Sequence, residues 1–266
     1  MSQVPIAFLV SFLLIAVPSF PQQSSQASTS SVSAASLLRS SLGAITGNTS
    51  VADVTLSGTA RRIVGSDDQT GTALLQASSN GSAHLVLNLS SGTWTETANL
   101  YSAPSGSWSA PDSVSHAVAY HNLLAESTWF SPGIAIARRV SSTNYVATYI
   151  GHETLNGQAV EHISAWSTSS LPDPPGGPTF AHLSQVDFYF DSTTLLPAAI
   201  NFNVHPDNNT LLDIPVQVLF FDYRSVSGVQ VPFHIQKLIN SSLVLEFQFS
   251  SVSFNSGLSA STFNTL

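Results

Sequence analysis

The sequence of 266 residues contains no cysteine, and this absence excludes several kinds of chemistry. Without thiols the chain can form no disulfide framework, no thiolate nucleophile and no cysteine-based zinc site. A lipid anchor on an N-terminal cysteine is excluded as well. Charged residues are also scarce, at 8% of the chain. Because coiled coils and long helices need Glu and Lys in quantity, the composition argues against both.

Positive charge is the scarcer kind, with 7 Lys and Arg against 15 Asp and Glu and a net charge of −8. Nucleic-acid binding relies on clustered cations that neutralise phosphates. The two arginine pairs, Arg61-Arg62 and Arg138-Arg139, are too short to form such a cluster. We therefore expect no nucleic-acid partner.

Hydrophobic residues, by contrast, make up 43% of the chain, enough for a sizeable core. The longest apolar run, residues 6–17, is shorter than the roughly 20 residues that span a bilayer. Ser25-Gln26-Ala27 has the small-x-small pattern of a cleavage site. We predict a signal peptide over residues 1–27 and one β domain over 28–266, periplasmic or secreted. Since MSQVP has no Lys or Arg, the alternative is an apolar segment that is retained.

Two segments have helical spacing. The first runs from Ser33 to Ile45, with a cluster of glycines at its end. The second is predicted from Asp112 to about Ser127, with Asp112 as a possible N-cap and Pro132 beyond its end.

Most of the remaining chain alternates between apolar and polar residues, as strands do. From Asp53 to Ala98 the alternation is interrupted at Asn80-Gly81 and Ser91-Gly92, which predicts a four-stranded meander. Asn156-Gly157 is a strong signal for a two-residue hairpin. The last hundred residues alternate most regularly, in segments that contain Phe188, Phe202, Phe220, Phe233 and Phe247.

The segment Leu171–Pro178 is rich in proline and glycine and predicts a long surface loop, or alternatively a domain boundary. In one strand the second face is apolar too, through Leu219, Phe221 and Tyr223. A sheet with two apolar faces is covered on both sides or curves around a cavity.

Four segments share a pattern of strands and turns: VLFFDYRSVSGVQVPFHIQKLIN, VSFNSGLSASTF, VDFYFDSTTLLPAAINF and GSWSAPD. In these segments the chain resembles the LolA/LolB/LppX-like periplasmic proteins, which include the outer-membrane lipoprotein carriers. The resemblance implies a mainly β fold, in which a curved antiparallel sheet forms an incomplete (half) β-barrel. It also implies short helices over the concave side and an apolar lining for acyl chains.

No pattern indicates catalysis. His-x-His, His-Glu-x-x-His, Gly-x-Ser-x-Gly and Ser-x-x-Lys are all absent. The Asn156-Gly157 turn sets His152 opposite Glu161, which predicts a cross-strand polar pair on the solvent face. A metal there would need further ligands that the pattern does not supply. We expect no metal, no cofactor and no enzymatic activity.

Candidate ligand contacts are the aromatic residues of the alternating segments and their neighbours. They are Trp94, Trp108, Trp129, Phe130, Phe188, Phe202, Phe220, Phe233 and Phe247, which could equally form an ordinary core. Asp222 and Arg224 could meet a head group at the cavity rim. The alternative is an ion pair at a strand end that fixes the turn over Ser225–Gly228.

Together these observations favour a monomeric, non-enzymatic protein that shelters a lipid or lipoprotein acyl chain, with an envelope protein as a possible partner. A second hypothesis is an envelope structural or adhesive module that binds through its outer surface. An enzyme would need His152, Glu161 and a further acid in one buried cluster.

Overall fold

A computed structural model of the protein describes residues 33–47, 49–101, 103–169, 173 and 177–265. The predicted signal peptide and most of the predicted loop Leu171–Pro178 lie outside these residues. No helix in the described ranges is long and apolar enough to cross a membrane.

The first helix, α1 (Ala34–Thr46), forms where its spacing predicts it. The Ser33 hydroxyl accepts a hydrogen bond from the backbone N–H of Ser36 at 3.3 Å, which caps the first turn. Gly47 ends the helix at a φ of 55° and donates its N–H to the carbonyl of Gly43. The buried face carries Leu37, Leu38 and Ile45.

Thirteen antiparallel strands of the described chain form a single sheet. Their bounds are β1 Asp53–Val64, β2 Asp67–Ser78, β3 Ala83–Leu89, β4 Gly92–Asn99, β5 Ser105–Ser109, β6 Ser115–Ala117, β7 Tyr145–Leu155, β8 Gln158–Ser167, β9 Val186–Asp191, β10 Pro197–Val204, β11 Ile214–Val226, β12 Val229–Ile239 and β13 Ser242–Phe254. The predicted meander is confirmed as β1 to β4, and Asn156-Gly157 joins β7 to β8.

Sequence neighbours are also sheet neighbours, apart from one pair. The strand order is β6-β5-β4-β3-β2-β1-β13-β12-β11-β10-β9-β8-β7, so the first and last strands meet inside the sheet. A carboxylate strengthens this junction: Asp53 accepts backbone hydrogen bonds from Ser256, Gly257 and Leu258 at 2.8–3.2 Å. Burial raises the pKa of Asp53, but these hydrogen bonds outweigh it and the net pKa is lowered.

The predicted second helix is wrong. Residues 112–127 contain the three-residue strand β6 and a 3₁₀ helix over Tyr120–Leu124. The helix begins later, as α2 (Pro132–Ser141), with Pro132 in its first turn. Proline is well suited to that position because the N–H it lacks would have no partner there. A third helix, α3 (Phe180–Leu183), precedes β9.

The sheet curves around the helices. Helix α1 contacts both β12 and the edge strand β7, which lie five strands apart in the sheet order. In a flat sheet that separation would be about 24 Å, more than twice the diameter of a helix. The sheet is not closed, and the predicted half-barrel is confirmed.

Candidate functional site: the inner face of the half-barrel

We call the face of the sheet that packs against α1 and α2 the inner face. Strand pairing defines a row of inner-face side chains from β1 to β7, namely Arg62, Leu245, Lys237, Val218, Ile200, Phe188, Ile163 and Tyr149. From Val218 to Tyr149 the row carries no charge. Two cations, Lys237 and Arg62, lie at the β1 end of the row, on either side of Leu245.

The predicted aromatic residues converge on this face. Those from the last five strands are all buried there: Phe188, Phe202, Phe220, Phe233 and Phe247. Alternation places them on one face because successive strand residues point to opposite sides. They form one cluster of buried residues with α1 and α2.

Trp129 and Phe130 reach the same cluster from outside the sheet. They lie between the end of the predicted helix and the start of α2, and are 3% and 2% exposed. The Trp129 ring lies 5.4 Å from Phe130 and 6.0 Å from Phe247, measured between centroids. They fill space that an empty half-barrel would leave open.

The space beneath the helices differs between the two ends of α1 and α2. The apolar gap between the helices, β1 and β12 has a volume of about 20 Å³, so this part of the interior is a packed core. A second gap of about 210 Å³ lies between the helices and β7–β8, with Leu38, Arg139, Tyr145 and Ala165 in its lining. Pockets for small ligands are typically about 300–1,000 Å³, so both gaps are smaller than such pockets.

An open groove lies at the β3–β5 side of the inner face. Its volume is about 200 Å³, and its lining includes Leu85, Leu87, Trp94, Trp108, Leu245, Arg62 and Glu96. Of the predicted aromatic residues, Trp94 is thus partly buried and Trp108 is 39% exposed. The alternating pattern includes Leu85, Leu87 and Leu245. The sequence could therefore have predicted that these residues lie on the same face as Trp94.

Cations line the apolar surface beside the groove. The Arg62 guanidinium lies 3.7 Å from the centroid of the Trp94 ring, and the Lys237 ammonium lies 4.4 Å from that of Trp129. Burial lowers the pKa of Lys237, although the charge of Glu96 acts in the opposite direction. The alternation gave no reason to expect charged side chains at these inner positions.

A buried ion pair anchors the residues between the 3₁₀ helix and α2, 125–131, which we call the Trp129 segment. The Glu126 carboxylate pairs with Arg139 of α2 at 2.5 Å and accepts the Thr128 N–H at 2.9 Å. Both charged side chains are almost inaccessible to solvent. Burial raises the pKa of Glu126, but the charges of Arg139 and Arg138 and hydrogen bonds outweigh it, lowering the pKa to about 2. Glu126 therefore remains ionised inside the protein.

The predicted rim pair lies elsewhere. Asp222 and Arg224 form an exposed ion pair at 2.6 Å, and the guanidinium lies 4.4 Å from the Phe233 ring centroid. Arg224 pairs with Val231 in the register, six residues along β12 from Lys237. At about 3.4 Å per residue, six residues of β12 separate the Asp222–Arg224 ion pair by roughly 20 Å from Lys237, which lies beside the groove.

The predicted pair of His152 and Glu161 is confirmed. The two residues are register partners, and His152 Nδ1 lies 3.0 Å from the Glu161 carboxylate. The His152 side chain is 59% exposed, but the expected solvent face is wrong: Glu161 is the register partner of the buried Phe190 and accepts a hydrogen bond from Tyr149, so the pair lies on the inner-face side at the β7 edge. Asp68 begins β2 with Asp67 and pairs with Arg61 at 2.6 Å.

No protein-family model and no curated protein matches the sequence. Solved structures do match in fold. One is a Vibrio parahaemolyticus domain described as an outer membrane lipoprotein-sorting protein, with TM-score 0.53 and 12% identity, covering 87% of this chain and 96% of that one. A LolA superfamily protein from Nitrosomonas europaea has TM-score 0.53 and 10% identity, covering 88% and 98%.

A DUF1329 family protein from Desulfovibrio piger has TM-score 0.51 and 10% identity, covering 87% of this chain and 95% of that one. These alignments extend over nearly all of both chains, so the whole half-barrel is shared rather than one hairpin of it. The resemblance inferred from the sequence is therefore confirmed as a likeness of fold: this chain has the half-barrel of the LolA superfamily structures.

Proposed function

We propose that this protein binds an acyl chain of a lipid or lipoprotein on the inner face of its half-barrel, in the cell envelope and without catalysis. The observation that carries the proposal is the groove at Trp94, where the apolar inner face opens to the surface. On β8 to β12 most of the same face is buried. The likeness to a lipoprotein-sorting domain and to a LolA superfamily protein supports the same function.

The groove accommodates the first part of an acyl chain. Each buried CH₂ group contributes about 0.8 kcal/mol, so binding strengthens as more of the chain leaves water. At about 200 Å³ the groove is smaller than typical ligand pockets. Deeper entry follows when Trp129 and Phe130 move aside, because these side chains occupy the space next to Leu85 and Ala98.

The polar end of the ligand stays at the groove mouth. The buried indole N–H of Trp94 has no hydrogen-bond partner among the described residues, and the Arg62 guanidinium lies against the same ring. The guanidinium suits the ester or phosphate oxygens of a head group, and the indole N–H becomes a second donor when the Trp94 ring moves. Arg62, rather than the distant Arg224, is therefore the residue that we propose for head-group contact.

The test is native mass spectrometry of the full chain produced in a bacterial host, followed by lipid extraction from the same sample. We expect co-purifying acyl lipid in the wild type. Trp94→Glu places a charge in the groove and should lower the bound fraction at least about tenfold, the equivalent of roughly 1.4 kcal/mol. Phe221→Glu is the matched control, because Phe221 is 40% exposed on the opposite face.

The outcome against the proposal is a lipid-free mass together with no uptake of added fatty acid or phospholipid. That result would favour the second candidate function, an envelope module that binds through its outer surface. The observation in favour of that candidate is the packed interior between α1, α2, β1 and β12. The measured mass also tests the proposed envelope location, because signal cleavage near residue 27 would shorten the chain.

A further inference from the structure

A cluster of histidine and aspartate side chains lies apart from the groove. His182 Nε2 and His205 Nε2 both lie within hydrogen-bond distance of Asp213 Oδ1, at 2.9 and 3.0 Å. One ligand atom from each of the three residues lies within 4.8 Å of the other two. Two imidazole nitrogens and a carboxylate oxygen are a donor set typical of zinc sites.

The backbone holds these donors in place. His182 is on α3, His205 follows the last residue of β10, and Asp213 precedes the first residue of β11. A reciprocal pair of hydrogen bonds fixes His205: the Asn122 side-chain Nδ2 donates to the His205 backbone carbonyl, and the His205 backbone N–H donates to the Asn122 side-chain Oδ1, both at 2.8 Å. Such rigidity favours a site with defined geometry.

A fourth nitrogen lies beside the cluster. His121 Nε2 is buried and has no hydrogen-bond partner among the described residues. Its ring centroid is 6.0 Å from that of His205, which in turn is 5.7 Å from that of His182. Buried polar atoms without a partner are rare and require an explanation. A ligand shared with the neighbouring imidazoles supplies one.

We propose that His182, His205 and Asp213 bind a divalent transition-metal ion, Zn²⁺ foremost, and that His121 or a water completes a four-coordinate site. Zinc prefers tetrahedral nitrogen and oxygen ligands at about 2.0–2.2 Å. Three donors that already lie close together need only small rearrangements to surround such an ion. Soft thiolate ligands, which would select other metals, are excluded because the chain has no cysteine.

One side of the cluster is buried in the protein and the other is exposed to solvent. The His205 side chain is 1% exposed, whereas those of His182 and Asp213 are 38% and 43% exposed. His182 also borders a cavity of about 400 Å³ whose lining is largely polar and includes Gln185, Asp187, Asn201, Asn203 and Gln217. An ion can therefore enter from solvent, and a fourth coordination position can face this cavity.

Isothermal titration of the metal-free full chain with Zn²⁺ tests the proposal. We expect one equivalent to bind. Asp213→Asn and His182→Gln alter the partly exposed donors and should preserve the fold. Each should lower the affinity by more than the roughly 10- to 100-fold that loss of a supporting residue costs. His116→Ala, which removes an exposed imidazole stacked on Trp108, is the control.

A second measurement separates coordination from adventitious surface binding. Co²⁺ in a four-coordinate site gives intense visible absorption, which we expect in the wild type and in His116→Ala but not in Asp213→Asn. Zn²⁺ should also raise the melting temperature of the wild type and leave that of His182→Gln unchanged. Equal zinc affinity in wild type and both donor variants would overturn the proposal and leave the cluster as a hydrogen-bond network only.

Discussion

The two sides of the inner face differ in how their apolar surface is covered. On the β7–β11 side, Ile163, Phe188, Ile200 and Val218 have no solvent exposure and pack in one cluster with the helices. On the β1–β5 side, Trp94 and Trp108 border an open groove together with Arg62. The same alternating pattern therefore builds a stabilising core on one side and an accessible apolar surface on the other.

The difference arises from where the helices and the Trp129 segment lie, not from the strands themselves. Helix α1 contacts β7 and β12, and the ion pair between Glu126 and Arg139 holds the Trp129 segment over the sheet. Apolar surface left uncovered in a soluble domain often marks a binding site. Substitutions on the two sides should therefore have different consequences, which the following predictions order by size.

The largest contrast should come from truncating one aromatic residue on each side. Phe188→Ala leaves a cavity in the packed side and should lower the free energy of unfolding by about 4 kcal/mol. Trp94→Ala removes a partly exposed side chain and should lower the free energy of unfolding by only about 1–2 kcal/mol. Urea unfolding followed by circular dichroism measures both. Equal losses would show that the two sides do not differ in packing.

Breaking the ion pair between Glu126 and Arg139 should lower the free energy of unfolding almost as much. Arg139→Met leaves Glu126 charged and buried without its nearest partner and should lower the free energy of unfolding by about 3 kcal/mol. Arg138→Met is the matched control: its contact with Glu126 is 3.5 Å and it is less buried, so we expect about 1 kcal/mol or less.

The double variant Glu126→Gln/Arg139→Met tests whether this loss comes from the unpaired charge. Removing both charges should recover part of the stability lost in Arg139→Met. If the double variant is less stable by the full sum of the single losses, the two residues act independently.

Opening the packed side should increase ligand uptake. Trp129→Ala removes the ring between the groove and Phe247, which lets an acyl chain bury one or two further CH₂ groups. We expect the affinity for a fluorescent fatty acid to rise roughly fivefold, or about 1 kcal/mol. A variant that is folded by circular dichroism but binds no better than wild type would contradict the role of Trp129.

The smallest effect concerns the outer face of the packed side. His162 lies 2.8 Å from Glu153 and 3.3 Å from Asp187. Burial lowers the pKa of His162, but the hydrogen bonds and charges of both carboxylates outweigh it and raise the net pKa above 6.5. A raised pKa stabilises the fold below pH 6.5, and this contribution is lost as the pH rises through the folded-state value.

We expect this contribution to be about 1 kcal/mol or less. It appears as a decrease in wild-type stability above pH 6.5 in urea unfolding curves, relative to His162→Gln measured under the same conditions. Parallel pH profiles for the two proteins would exclude it.

The strands could be predicted from the sequence because each depends on local signals. Alternation places Phe188 and Phe247 on one face, and Asn156-Gly157 adopts positive φ at both residues, as a tight hairpin requires. The second helix was misplaced because Pro132 was interpreted as a stop beyond a helix. Proline is equally suited to the first turn, and only the packing of Ile134 and Ile136 against the sheet decides between the two.

The sites are harder to predict because their members are distant in sequence. His182 and Asp213 are 31 positions apart, and no local spacing relates them. The Trp129 segment has no regular hydrophobic period that would predict its position. Its position over the sheet depends on the ion pair between Glu126 and Arg139, and no local pattern indicates that these two residues pair. The order and register of strands bring such residues together, and neither is encoded locally.

The pairing of β1 with β13 has a consequence for how the protein is made. Asp53 accepts hydrogen bonds from backbone groups 203 to 205 positions later, so the middle of the sheet cannot form until the last strand has been synthesised. Contacts between such distant positions form slowly because a large loop must close first. Until then β1 presents an unpaired edge that can associate with other chains. The sheet is therefore completed only after β13 and the turn that follows it have left the ribosome.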